Sequence, residues 1–151
     1  MAAENYAILE THVRTVFTIN VWDNGIMYVQ VPGDTVVELK HVKGQYEFFK
    51  ERYDQKNKFL ILVESGHDST LTKEAREFSS LPETNAMTGA TAVVVKSLAE
   101  RLIINFIINI TNRLAMKIRL FDSREKAVKW LLSLEKNTTE VNSVSDFTAC
   151  L

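Results

Sequence analysis

The chain reads as an α/β domain: a mostly parallel sheet that opens with an antiparallel hairpin, with helices packed on it. Three observations predict this. FLILV (59–63) and TAVVV (91–95) are short, continuously apolar runs, the pattern of parallel strands covered on both faces. Asp23-Asn24-Gly25 lies between two strand-like segments, and Asn-Gly tolerates the backbone of a tight hairpin turn. Between and after the apolar runs come segments whose apolar residues recur every three or four positions, which is helix periodicity. The expected order is β-β-α-β-α-β-α-β-α, and alternation of this kind implies parallel pairing with crossover helices.

Each element has its own warrant. Residues 1–12 are expected to be a loose lead-in. Val13, Phe17, Ile19 and Val21 are interleaved with polar residues, which suits a half-buried strand, and Ile26–Val31 is its return. Pro32-Gly33 ends that strand. Thr35 and Glu38 have capping-box spacing for the first helix, whose stripe is Leu39, Val42, Tyr46, Phe49 and Tyr53. After FLILV and a polar loop, Thr72 caps a second helix reaching about Ser80, and Pro82 breaks the chain. A third helix runs from about Ser97 to Arg113, with Leu98, Leu102, Ile103, Phe106, Ile107 and Ile110 on its sheet-facing side. Met116, Ile118 and Leu120 alternate with Lys117 and Arg119, as in a half-exposed strand near an edge. Asp122 and Glu125 can box the last helix, which carries Ala127, Val128, Leu131 and Leu134. The domain thus spans 13–135, and residues 136–151 are polar and aperiodic, as in a disordered tail.

Composition narrows the function classes. With 151 residues, 46% hydrophobic and 25% charged, the chain suits one globular domain. A net charge of −1 lacks the basic excess of a nucleic-acid binder. The single cysteine, Cys150, has no partner in the chain, which points to the reducing cytoplasm. The apolar run Leu102–Ile110 is bounded by Glu100-Arg101 and Asn112-Arg113, shorter than the roughly 20 residues a membrane span needs.

Chemistry is sparse. His12, His41 and His67 have no metal-ligand spacing, and no phosphate-cradling glycine motif is present. His67-Asp68-Ser69 holds three triad residue types, but neighbours in sequence rarely converge into a triad. Trp22 and Trp130 suit packing rather than stacking on a ligand. No catalytic residue, cofactor or metal ligand is assigned. Two candidate sites remain. The loop holding Ser69, Thr70 and Thr72 follows a strand end and precedes a helix, where ligands gather in α/β sheets. On the third helix, Ile104 and Ile108 stack four residues apart, away from the sheet-facing side, with Asn105 and Asn112 alongside. That patch suits a symmetric homodimer contact or a protein partner.

Several phrases resemble the SpoIIAA-like, or STAS, fold of bacterial anti-sigma-factor antagonists, and more closely an uncharacterised bacterial branch of it. They are the DNG hairpin, FLILVE followed by KEAREF, TAVVV followed by SLAERLIINFIINI, and KIRLFDSREKAVKWLLSL. The resemblance covers 13–135 and implies a non-enzymatic regulatory or protein-interaction domain. It also implies a phosphorylatable Asp-Ser-Ser at a helix start. Counting from the acidic strand end, Glu64, places Thr72 at the family's aspartate and Lys73-Glu74 at its serines. Thr72 is then a substitute acceptor, with Ser69 and Thr70 beside it. Related folds are similar to lipid-carrying domains, so a carrier holding a small apolar or lipid ligand between helices and sheet is the alternative.

Overall fold

The computed structural model describes residues 6–95 and 117–134. Its main sheet has six strands: β1 (Ile8–Val13), β2 (Thr18–Trp22), β3 (Ile26–Val31), β5 (Phe59–Ser65), β7 (Thr88–Val94) and β8 (Ile118–Phe121). They lie in the order β1-β2-β3-β5-β7-β8. β1, β2 and β3 pair antiparallel, and every later pairing is parallel. The expected mostly parallel α/β sheet with an N-terminal antiparallel hairpin is thus present, and among the described strands β8 lies at the expected edge.

Alternation along the strands separates two cores. Ile19, Met27, Val29, Val31 and Ile61 face α1 (Leu39–Arg52) and α2 (Lys73–Ser79), whose buried residues include Val42, Phe49 and Ala75. Trp22, Ile26, Tyr28, Leu62, Ala92 and Val94 face the opposite way, against Ala127 and Leu131 of α4 (124–134). FLILV is unbroken in apolarity because Ile61 and Leu62 belong to opposite cores. In the β2–β3 turn, Gly25 alone takes a positive φ, 89°, and Ile26 N–H donates to Asn24 Oδ1 at 3.1 Å.

Several expectations are corrected. The lead-in ends early: Ile8–Val13 is strand β1, held by pairs from Ile8↔Trp22 to Val13↔Thr18. The turn joining β1 to β2 has no glycine, proline or asparagine, and is closed by Arg14 N–H on Phe17 O at 2.7 Å. Helix α1 starts at Leu39 with Glu38 as N-cap, and Glu38 N–H donates to His41 Nδ1 at 2.9 Å. Thr35 cannot cap it, because Val36–Val37 forms a short strand, β4, pairing with β6 (Thr70–Leu71). Pro82 starts a short helix, α3 (Pro82–Asn85), rather than a plain break. The TAVVV strand begins earlier, at Thr88. Ser123, not Asp122, caps α4, its Oγ accepting from Lys126 N–H at 3.3 Å. Asp122 instead pairs with Lys126 Nζ at 3.0 Å.

The third expected helix, with Ile104, Asn105, Ile108 and Asn112, lies outside the described residues, as do the tail and Cys150. Among the described residues, no helix is long and apolar enough to cross a membrane.

Candidate functional site

The Ser69–Thr72 loop is one half of a two-stranded zipper. Beyond the ends of β3 and β5, the two segments run side by side into β4 and β6. Gly66 N–H donates to Val31 O at 2.8 Å, Asp34 N–H to His67 O at 2.8 Å, and Thr70 N–H to Thr35 O at 2.9 Å. Asp34 and Asp68 take left-handed φ of 53° and 63°, conformations that aspartate tolerates better than most residues. Gly33 and Gly66 make the closest approach: a Cβ on Gly66 would lie 2.4 Å from Gly33 N.

Inside this zipper the predicted residues have separate tasks. The Ser69 hydroxyl donates to Pro32 O and accepts weakly from Thr35 N–H at 3.4 Å. Thr70 is exposed and pairs in β6. Thr72 Oγ1 accepts from Ala75 N–H at 3.2 Å, the expected cap of α2. His67 and Asp68 are exposed, and Ser69 turns its hydroxyl to Pro32 rather than to an imidazole. Among the described residues, no three His, Cys, Asp or Glu side chains gather as metal ligands.

A second cluster was missed. Tyr28 OH donates to Glu64 Oε2, which also takes Arg124 Nε at 2.9 Å, and the Arg124 guanidinium lies 4.9 Å over the Tyr28 ring. These groups come from the middle of β3, the carboxyl end of β5 and the first residue of α4, so they pin that helix to the sheet. Burial, and then the Glu64 carboxylate beside it, push the Tyr28 phenol far above its usual range. One signal was available: a carboxylate closing a strand buried on both faces needs a partner, since an uncompensated buried charge is costly. Which partner was not legible, because Arg124 is 60 residues away.

On the same face, Thr11 Oγ1 donates to Asn20 Oδ1 at 2.8 Å, and Asn20 reaches Gln30 at 3.4 Å, a polar stripe across three strands. On the other face, Arg52 makes a fork to Glu10 at 2.9 and 3.0 Å. The Arg52 hydrogen bonds, and then that of His12, hold the Glu10 carboxyl below its usual range. This fork ties β1 to α1.

Between α1, α2 and the sheet lies a cavity of about 220 Å³. Val29, Phe49, Ile61 and Met87 form much of its wall, and Gln45 and Thr84 are among its polar residues. Ser69 and Thr70 reach its rim, so the predicted loop and the cavity adjoin.

The described residues thus form an α/β domain built on a six-stranded sheet, with a cavity of about 220 Å³ between that sheet and α1 and α2. The chain belongs to the family described as Domain of unknown function (DUF7793), whose model matches residues 20–135. No curated protein and no solved structure matches the chain.

Proposed function

We propose that this is a non-enzymatic protein-interaction domain that works as a homodimer, two copies joining along β1. One observation carries this: among the described residues β1 is an edge strand, and its Ile8, Leu9 and Val13 are 56%, 63% and 79% exposed. A long edge strand that presents apolar side chains, with neither proline nor lysine on it, is a template for pairing. Antiparallel pairing about a two-fold axis at Thr11 sets Leu9 of one copy against Val13 of the other. It also sets Glu10 of one copy against His12 of the other, so the edge complements itself. Covering Leu9 and Val13 in both copies contributes on the order of 6 kcal/mol before association costs, in addition to backbone hydrogen bonds. The dimer is therefore weak and depends on concentration.

The resemblance to anti-sigma-factor antagonists supports a regulatory role of bacterial type, with Ser69, Thr70 or Thr72 as the place where a phosphate or a partner would act. A cytoplasmic setting goes with this reading, since one cysteine makes no disulfide within the chain.

Sedimentation velocity over a wide concentration range tests the pairing. The wild type should shift from monomer to dimer, and Val13→Lys should remain monomeric with unchanged circular dichroism. A wild type monomeric throughout, or a Val13→Lys chain that still associates, removes β1 as the interface.

A further inference from the structure

We propose that the groove beside β8 docks an acidic, extended segment of a partner protein, laid along β8 as a further strand. Its carboxylates meet Arg119 and Lys129, and an apolar side chain covers the Phe121–Trp130 pair.

The backbone comes first. Thr91 N–H donates to Lys117 O at 2.8 Å and Val95 N–H to Phe121 O at 3.0 Å, so alternate residues of this segment turn their main chain to β7. Ile118 and Leu120 therefore turn theirs outward, where no described strand lies. An edge of this kind takes up an extended peptide through main-chain hydrogen bonds.

Shape and charge come second. β8 and α4 wall an open groove of about 680 Å³. Lys126, Lys129, Trp130 and Ser133 recur at helical spacing, so one stripe of α4 faces it. Across from that stripe stand Arg119 and Phe121, and the Phe121 and Trp130 rings lie 5.5 Å apart. Arg119, Lys126 and Lys129 line the groove against one described carboxylate, Asp122, which pairs with Lys126 at 3.0 Å. Among the described residues Arg119 and Lys129 meet no carboxylate, and Arg119 instead lies 5.4 Å over the Phe121 ring.

The surplus charge is positive, which selects an acidic partner and steers its approach. Arg119 and Phe121 are two positions apart on β8 and share a face. A strand beside them matches with an acidic and an apolar residue at alternate positions. A small inorganic anion would leave the rings uncovered, and an apolar molecule would leave both cations unanswered. RNA could also offer charge and rings, but it cannot use the strand edge, and the chain lacks a basic excess. The groove lies at the other end of the sheet from β1, so this proposal does not rest on the β1 pairing.

The test titrates the full chain with acetyl-Thr-Glu-Thr-Phe-Thr-Glu-Thr-amide, which sets two glutamates and a phenylalanine on one face of a strand. Binding is followed by the indole N–H resonance of Trp130, with buried Trp22 as the reference. The peptide should move Trp130 saturably, leave Trp22 in place and slow hydrogen exchange at Ile118 and Leu120. Added salt should weaken it. The counterpart with lysine in place of both glutamates should not bind. Arg119→Glu with Lys129→Glu should weaken the acidic peptide about tenfold and let the lysine peptide bind instead. A Trp130 resonance unmoved by the acidic peptide overturns the proposal, as do equal binding of both peptides and unchanged exchange at Ile118 and Leu120. So does a doubly substituted chain that still prefers the acidic peptide. Tighter binding of a uridine hexanucleotide would assign the groove to RNA, and a Trp130 shift that follows protein concentration alone would assign it to a second copy; either result also overturns it.

Discussion

Replacing Gly66 with alanine places a methyl group where two backbones already touch. The new Cβ would lie 2.4 Å from Gly33 N, 2.7 Å from Gly33 Cα and 3.0 Å from Pro32 C, all main-chain atoms that cannot swing aside. Ordinary contact begins near 3.4 Å, so the two segments must part by about 1 Å. The bonds from Gly66 N–H to Val31 O and from Asp34 N–H to His67 O, each 2.8 Å, would then stretch beyond useful length. The Ser69 hydroxyl would lose Pro32 O as well. At about 1 kcal/mol for each of these bonds, less the few tenths that alanine recovers from the unfolded chain, the loss is about 2–3 kcal/mol. Urea unfolding followed by circular dichroism measures it. Gly33→Ala is the companion: its Cβ meets His67 O at 3.1 Å, which a small shift relieves, so it should cost clearly less. A Gly66→Ala chain as stable as wild type, or one less harmed than Gly33→Ala, would refute the close crossing.

Other outcomes follow from the same contacts. Thr72→Ala should lose about 1 kcal/mol as α2 loses its cap, whereas Thr72→Asp, which can still accept from Ala75 N–H, should lose little. Equal losses for the two variants in urea unfolding would remove the cap as the cause. The Tyr28 phenol keeps its proton in the fold at pH values where the unfolded chain, near 10, releases it. Native protein then binds more protons than unfolded protein, so stability is intact below pH 10 and falls above it, by up to about 1.4 kcal/mol per pH unit. Tyr28→Phe should remove that added fall, which unfolding midpoints measured from pH 9 to 11 would show; parallel slopes for the two proteins would contradict it.

The amino-acid order by itself determined the elements whose information is local. The doubly buried strand at 59–63, the Asn24-Gly25 turn, the apolar stripe of α1 and the Thr72 cap each rest on residues within a few positions of one another. Periodicity and capping act over one or two turns of chain, so they can be read without knowing the fold. Tertiary structure decided everything that needs a distant partner. Ile8–Val13 becomes a strand because β2 offers it a ladder, not because its own pattern is strong. Val36–Val37 forms a strand instead of the first turn of α1 because β6 passes beside it. Glu64 meets Tyr28 and Arg124, and Gly66 meets Gly33, only once parallel pairing brings β3 and β5 together. The cavity between α1, α2 and the sheet likewise exists only between packed layers. Sequence records which side chains seek burial, but the identity of the neighbour they find depends on how the chain closes its long loops.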